Sequence, residues 1–233
     1  MAPRAAQVDR GLEPLRVPET LGERAATVLR ERILSGAFRP GERLVAAEIP
    51  RELGISRGPV REALGKLRAE GLVREEPRRG SFVARLTDED IREIYELRAA
   101  IEAHSARLII QRGDHDAVAQ LRQIGDGLRE AAAKDDHEEF ARLDFRLHEE
   151  LTRLSGNRRL HDVFVTHAGV LAALLMLEIT TQYESLDEIL EEHERLLEGI
   201  ASMDEARADA SCRRHLGLAS DRVAAMVRAR VPA

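Results

Sequence analysis

The sequence is poor in the residues that most often announce a function. Among its 233 positions there is one cysteine, Cys212, there is no tryptophan, and aromatic residues make up 3%. A single thiol excludes an intrachain disulfide framework and suits a reducing compartment, so a cytoplasmic location is expected. Scarce aromatics require an aliphatic core of Leu, Ile, Val and Ala. No apolar run is long enough to span a bilayer, so no membrane segment is expected. The opening stretch MAPRAAQVDRGLEPLRVPE lacks the apolar segment of a signal peptide and reads as a short disordered arm over residues 1–19. The motifs Glu-x-x-His and His-Glu-x-x-His are both missing, which speaks against a di-iron bundle and a zinc protease.

What is present is unevenly spread. Residues 20–85 carry 14 Lys and Arg against 9 Asp and Glu, whereas residues 86–233 carry 19 against 30. All 8 histidines lie at or after His104. A small basic module followed by a larger acidic, His-bearing one implies two tasks, the first directed at a polyanion.

In the basic module, Thr20 with Glu23 forms a capping-box pattern ahead of a helix through Leu29 and Ile33, which Gly36 ends. The segment VAAEIPRELGISRGPVREALGKLRAEGLV reads as a short helix to Leu53, a turn at Gly54 and a longer helix from about Ser56 to Glu70. The period then falls to two around Leu72-Val73 and Ser81-Phe82-Val83, predicting a hairpin with Arg78, Arg79 and Gly80 at its tip. Arg57 and Arg61 share one face at the start of the second helix, where a recognition helix presents side chains to base edges. An alternative for the basic residues alone is a solvated face; the combination of two helices and a basic-tipped wing favours DNA.

These residues resemble the winged-helix domain of GntR-type bacterial transcription regulators over residues 20–85. The motif SRGPVREAL followed by EGLV and RRGSFV carries the likeness. By that resemblance the DNA contacts fall on Ser56, Arg57, Gly58 and Arg61, and on Arg79 and Gly80 of the wing. Two departures stand out. Pro50 lies inside the first motif helix and is compatible with it only within the first turn. Ala47 stands where some members place a polar DNA contact, with Arg51 as the candidate to compensate.

After residue 86 the periodicity is helical, with expected helices near 88–112, 114–134, 136–155, 158–182, 185–202 and 204–230. The predicted fold is mainly α: an N-terminal winged helix-turn-helix followed by an all-α antiparallel bundle over 86–233. Polar groups interrupt three of its apolar stripes. Asp144 and His148 lie one turn apart among Phe140, Leu143, Leu147 and Leu151; His193 lies between Leu190 and Leu196, and His215 follows Cys212. If the last two helices turn back at Met203, His193 and His215 stand at nearly equal heights, about 15 and 18 Å from the bend. Three imidazoles and a carboxylate could hold a divalent metal. They could equally bond one another in a structural core, and His104 and His167 also lie near apolar stripes.

The layout IYELRAAIEAHSARL, then DFRLH with SGN, then His193 and His215 on later helices, resembles the FCD effector domain of the FadR branch. That resemblance implies a metal site at Asp144, His148, His193 and His215. Mixed N/O ligation suits Zn, with Ni, Co or Mn as alternatives. It further implies that Arg98 clamps the carboxylate of a small organic effector. A purely internal Arg98–Glu102 pair is the competing reading. The expected protein is a homodimeric regulator, a repressor whose effector alters its grip on a palindromic double-stranded DNA operator; the alternative is a metal-dependent enzyme built on a helical bundle.

Overall fold

The computed structural model describes residues 19–34, 37–45, 47–85, 87–169 and 185–230. Residues 1–18 of the arm expected over 1–19, Gly36 and much of the helix expected at 158–182 lie outside them. Among the described residues no helix is long and apolar enough to cross a membrane.

The first unit contains α1 (Leu21–Leu34), β1 (Arg43–Leu44), α2 (Ile49–Leu53), α3 (Arg57–Ala69), β2 (Val73–Glu76) and β3 (Gly80–Val83). The α1 start is a reciprocal cap: Glu23 N–H donates to Thr20 Oγ1 at 3.1 Å and Thr20 N–H donates to Glu23 Oε2 at 2.8 Å. Pro50 lies in the first turn of α2, where its missing N–H removes no intrahelical bond. Gly54 ends α2 in the left-handed region at φ 64°, and its N–H donates to the Pro50 carbonyl. That conformation is cheap only for glycine, and it sets the angle between α2 and α3. Ala25, Leu29 and Ile33 of α1 pack on Val60, Ala63 and Leu67 of α3, over Leu72, Val73 and Val83.

The hairpin of β2 and β3 is the predicted wing, with Val73 opposite Val83 and Glu76 opposite Gly80. A third strand completes the sheet in the order β1-β3-β2. Periodicity does not announce β1, because two residues are too few to show an alternation.

The bundle runs through α4 (Asp88–Gln111), α5 (His115–Ala133), α6 (His137–Leu154), α7 (Arg158–Val163), α8 (Asp187–Ala201) and α9 (Glu205–Arg230). Side-chain caps from Thr87, Asp114, Asp136 and Asn157 open α4 to α7, each accepting a backbone N–H. The breaks seen in the sequence coincide with left-handed residues at Gly113, Asp135, Gly156 and Met203. One expectation needs correction. The α-helix beginning at Arg158 ends at Val163, and the chain continues as a π-helical segment, Phe164–Gly169.

Two packing features position the site. Helix α4 belongs to both units: Ile94 joins the core of the winged helix, while Ile91 and Tyr95 pack on Leu216 and Val223 of α9. Helices α8 and α9 meet closely at Gly199, where a Cβ would stand 2.1 Å from Ser211 Oγ and 3.3 Å from the Arg207 carbonyl oxygen. A glycine there lets the helices carrying His193 and His215 approach.

Candidate metal centre and nucleic-acid interface

The four polar residues of the apolar stripes converge. Asp144 and His148 come from α6, His193 from α8 and His215 from α9, and all four are buried. Ligating atoms of the three imidazoles lie within 4.8 Å of one another. His148 Nε2 stands 3.3 Å from His215 Nε2 and 3.9 Å from Asp144 Oδ1, which also touches His193 Nε2. Nitrogen ligands about 2.05 Å from a tetrahedral ion stand roughly 3.3 Å apart, a spacing the His148–His215 pair matches. The matched heights inferred for His193 and His215 are realised, with ring centroids 4.5 Å apart.

The outer nitrogens are fixed unequally. His148 Nδ1 faces Glu102 Oε2 at 2.6 Å, and His193 Nδ1 faces the Ile189 carbonyl at 2.8 Å. Their Nε2 atoms are thereby left as the inward pair. His193 Nε2 lies against Asp144 Oδ1, whereas His215 Nδ1 is buried without a hydrogen-bond partner.

Electrostatics keep Asp144 ionised and His215 neutral. Burial pushes the Asp144 carboxyl up, but His193, then His148 and Arg98, outweigh it and hold it at about 2. Burial, with His193 and His148 adding to it, drives His215 well below the usual imidazole range and keeps it neutral. For His193, burial acts downward and the Asp144 charge more than offsets it, so the net direction is up.

Arg98 is 3% exposed and sits between aromatic faces, its guanidinium carbon 5.2 Å from the Tyr95 ring centre and 5.9 Å from that of Phe164. Its Nε–H donates to Glu102 Oε1 at 2.8 Å, so the internal pair does form. The pair engages only Nε. A cavity of about 20 Å³ joins Arg98 to the cluster, lined also by Tyr95, Ile189, Ala219 and Arg222. Arg222 holds Glu192 through both terminal nitrogens. The Tyr95 hydroxyl is buried without a hydrogen-bond partner, and burial pushes it up to about 12. Tyr95, Glu102 and Arg222 were not singled out from sequence as site residues. Tyr95 could have been, since it shares the Arg98 stripe three residues earlier. His104 instead faces Arg107 at the rim and His167 is exposed, so neither joins the cluster.

In the first unit, an open cleft of about 810 Å³ separates α3 from the wing, lined by Arg43, Ala47, Arg57, Gly58, Arg61, Arg68, Glu75 and Gly80 among others. Ser56 is the α3 N-cap, yet its side chain makes no capping bond, and Ser56, Arg57, Gly58 and Arg61 are all exposed. A Cβ on Gly58 would meet nothing within 4 Å, so the protein's own packing does not demand glycine there. Arg79 at the wing tip has its side chain 72% exposed, paired with Glu76 at 2.5 Å. Arg43, a further cleft residue, arrives on the unforeseen strand β1, whereas Arg51 is exposed on α2 and is not among the residues lining the cleft.

Comparison with known proteins agrees with this division. The chain matches the FCD domain over residues 93–218 and the bacterial regulatory proteins of the gntR family over residues 21–83. The gluconate operon transcriptional repressor of Bacillus subtilis (strain 168) is 30% identical over 189 residues, spanning 79% of this chain and 77% of that protein. The HTH-type transcriptional regulator YdhC of the same organism is 29% identical over 181 residues, spanning 77% of this chain and 80% of its own. Among solved structures, a GntR transcriptional regulator from Rhodococcus sp. RHA1 superimposes with a TM-score of 0.69 at 26% identity, covering 91% of this chain and 99% of that one. A winged helix with a basic cleft, joined through one long helix to an FCD bundle, makes this chain a member of the gntR family of bacterial transcription regulators and not an enzyme.

Proposed function

We propose that the chain is a cytoplasmic, homodimeric repressor whose bundle binds a divalent metal and a small carboxylate, and whose occupancy there alters its affinity for a palindromic operator. Asp144, His148, His193 and His215 would hold the metal, with Zn suited by the mixed N/O donors and Ni, Co or Mn as alternatives. The observation that carries the reading is the convergence of three buried imidazoles, their ligating atoms within 4.8 Å of one another, beside the Asp144 carboxylate. When bound, such an ion would supply a Lewis-acidic position for an anionic oxygen.

Charge favours an anion as the effector. A divalent ion with Arg98 and Arg222, set against Asp144, Glu102 and Glu192, leaves one positive charge over in a buried site. A single carboxylate removes that excess. Arg98 would receive it with its terminal nitrogens, and the Tyr95 hydroxyl offers a further donor. The cavity has room for little more than an ion or a water, so an organic acid enters as the walls part.

Helix α4 would carry the signal, since Arg98 meets the effector four residues after Ile94 enters the winged-helix core. A coupling free energy of about 1–3 kcal/mol changes operator affinity roughly 5–150-fold. Ser56, Arg57, Gly58 and Arg61 of α3 would read the major groove, and Arg79 and Gly80 of the wing the neighbouring backbone or minor groove. Repression is supported by the relative named as a gluconate operon repressor.

The test is operator affinity with and without a panel of small carboxylates, on metal-loaded and on chelated protein. The expected result is that one acid changes the affinity of the loaded protein only. An acid that acts equally on the chelated protein would contradict the metal's part in the reading.

A further inference from the structure

Helix α4 places Arg98 and Glu102 one turn apart, and Glu102 is completely buried in an aliphatic bundle. A carboxylate in that setting is costly unless each oxygen is engaged. Here the two oxygens serve different partners. Oε1 accepts from Arg98 Nε at 2.8 Å, and Oε2 faces His148 Nδ1 at 2.6 Å across 46 residues of sequence.

An ionised carboxylate can only accept, so the Oε2 contact requires the His148 proton to be on Nδ1. The Nε2 lone pair must then point the other way, toward His215 Nε2 at 3.3 Å and Asp144 Oδ1 at 3.9 Å. The three imidazoles differ in this respect. At Nδ1, His193 is held by a backbone carbonyl, His215 has no partner, and His148 alone faces a carboxylate. The same carboxylate also touches the arginine that faces the cavity.

We infer that Glu102 is a positioning residue for the metal centre: it fixes the tautomer and ring orientation of His148, strengthens that imidazole as a donor, and ties it to Arg98 through one shared carboxylate. This inference rests on the metal reading above. A carboxylate behind a metal-binding imidazole commonly governs metal affinity, and its loss weakens binding by about 10–100-fold.

The test uses the full chain, stripped with chelator and titrated with Co²⁺ while the visible absorption is followed. Wild-type protein should bind Co²⁺, and His148→Ala should abolish or gravely weaken that binding. Glu102→Gln should weaken it about 10–100-fold and shift the absorption envelope, an effect that a purely structural salt bridge would not have on the ion's spectrum. In parallel, ¹⁵N NMR of the wild-type histidines should show His148 protonated on Nδ1, which keeps the inference open to refutation even should Glu102→Gln fail to fold. Unchanged Co²⁺ affinity and spectrum in Glu102→Gln, or an Nε2-protonated His148, would overturn the role of Glu102 and leave the metal reading standing. Failure of the wild type to bind Co²⁺ would overturn both.

Discussion

The two halves of this protein keep their candidate functional side chains in opposite places. In the winged helix, Ser56, Arg57, Gly58, Arg61 and Arg79 are exposed and pack against little of the protein itself. In the bundle, Arg98, Glu102, Asp144, His148, His193 and His215 are buried and depend on one another. Exposed groups contribute little to folding, so binding there can change without touching stability. Buried charges do affect stability, because each was removed from water and needs its partner. The comparison implies that function and stability separate in the first half and are coupled in the second.

The largest expected effect lies in the bundle. Asp144→Ala leaves His193 and its neighbours without their carboxylate and should cost about 3–5 kcal/mol of metal-free stability in urea unfolding, as for other broken buried pairs. Loss of metal binding should accompany it. A fully stable Asp144→Ala protein would break the comparison at its strongest point. Next comes Gly199→Ala, which introduces a Cβ 2.1 Å from Ser211 Oγ and should cost about 1–3 kcal/mol through overpacking. Because it spreads α8 from α9, calorimetric titration should show weaker metal affinity although no ligand is changed.

The first half should respond differently. Arg57→Ala should lose about 1–3 kcal/mol of specific DNA affinity by fluorescence anisotropy, with folding stability changed by no more than about 0.5 kcal/mol. Retained specific binding would contradict the placement of α3 in the groove. The smallest effect should sharpen the contrast most. Gly58→Ala meets open space and should raise stability by about 0.5–1 kcal/mol through helix propensity, while on the proposed docking of α3 DNA affinity should fall, the new methyl crowding the DNA. Parallel changes in both quantities would refute a separation of roles at that position.

Much of this was readable from sequence, for identifiable reasons. Caps and turns are local chemistry, so Thr20 with Glu23, the Pro50 position and the breaks at Gly113, Gly156 and Met203 could be found without long-range information. The pairing of His193 with His215 followed from helical rise on either side of one turn. What escaped depended on contacts distant in sequence or on departures from a regular period. The spacing of Arg98 and Glu102 suggests a local pair, and nothing in either stripe reveals that Glu102 also reaches His148. Strand β1 exists because β3 offers an edge to Arg43 and Leu44, not because two residues prefer extension. Beyond Val163 the switch from α to π geometry changes which side chains share a face, so a 3.6-residue phase misplaces His167.

The metal centre proposed for the buried cluster of the bundle stands against a self-contained polar core. The most direct test is the thermal unfolding of chelator-treated protein on addition of Zn²⁺. A ligand at 100 times its Kd stabilises the folded state by about 2.7 kcal/mol, which shifts Tm by several degrees in a chain of this size. The upward shift is expected for the wild type, and its absence in His193→Ala. A wild-type Tm that does not move with Zn²⁺, or with Ni²⁺, Co²⁺ or Mn²⁺, would contradict it and return Asp144, His148, His193 and His215 to the core.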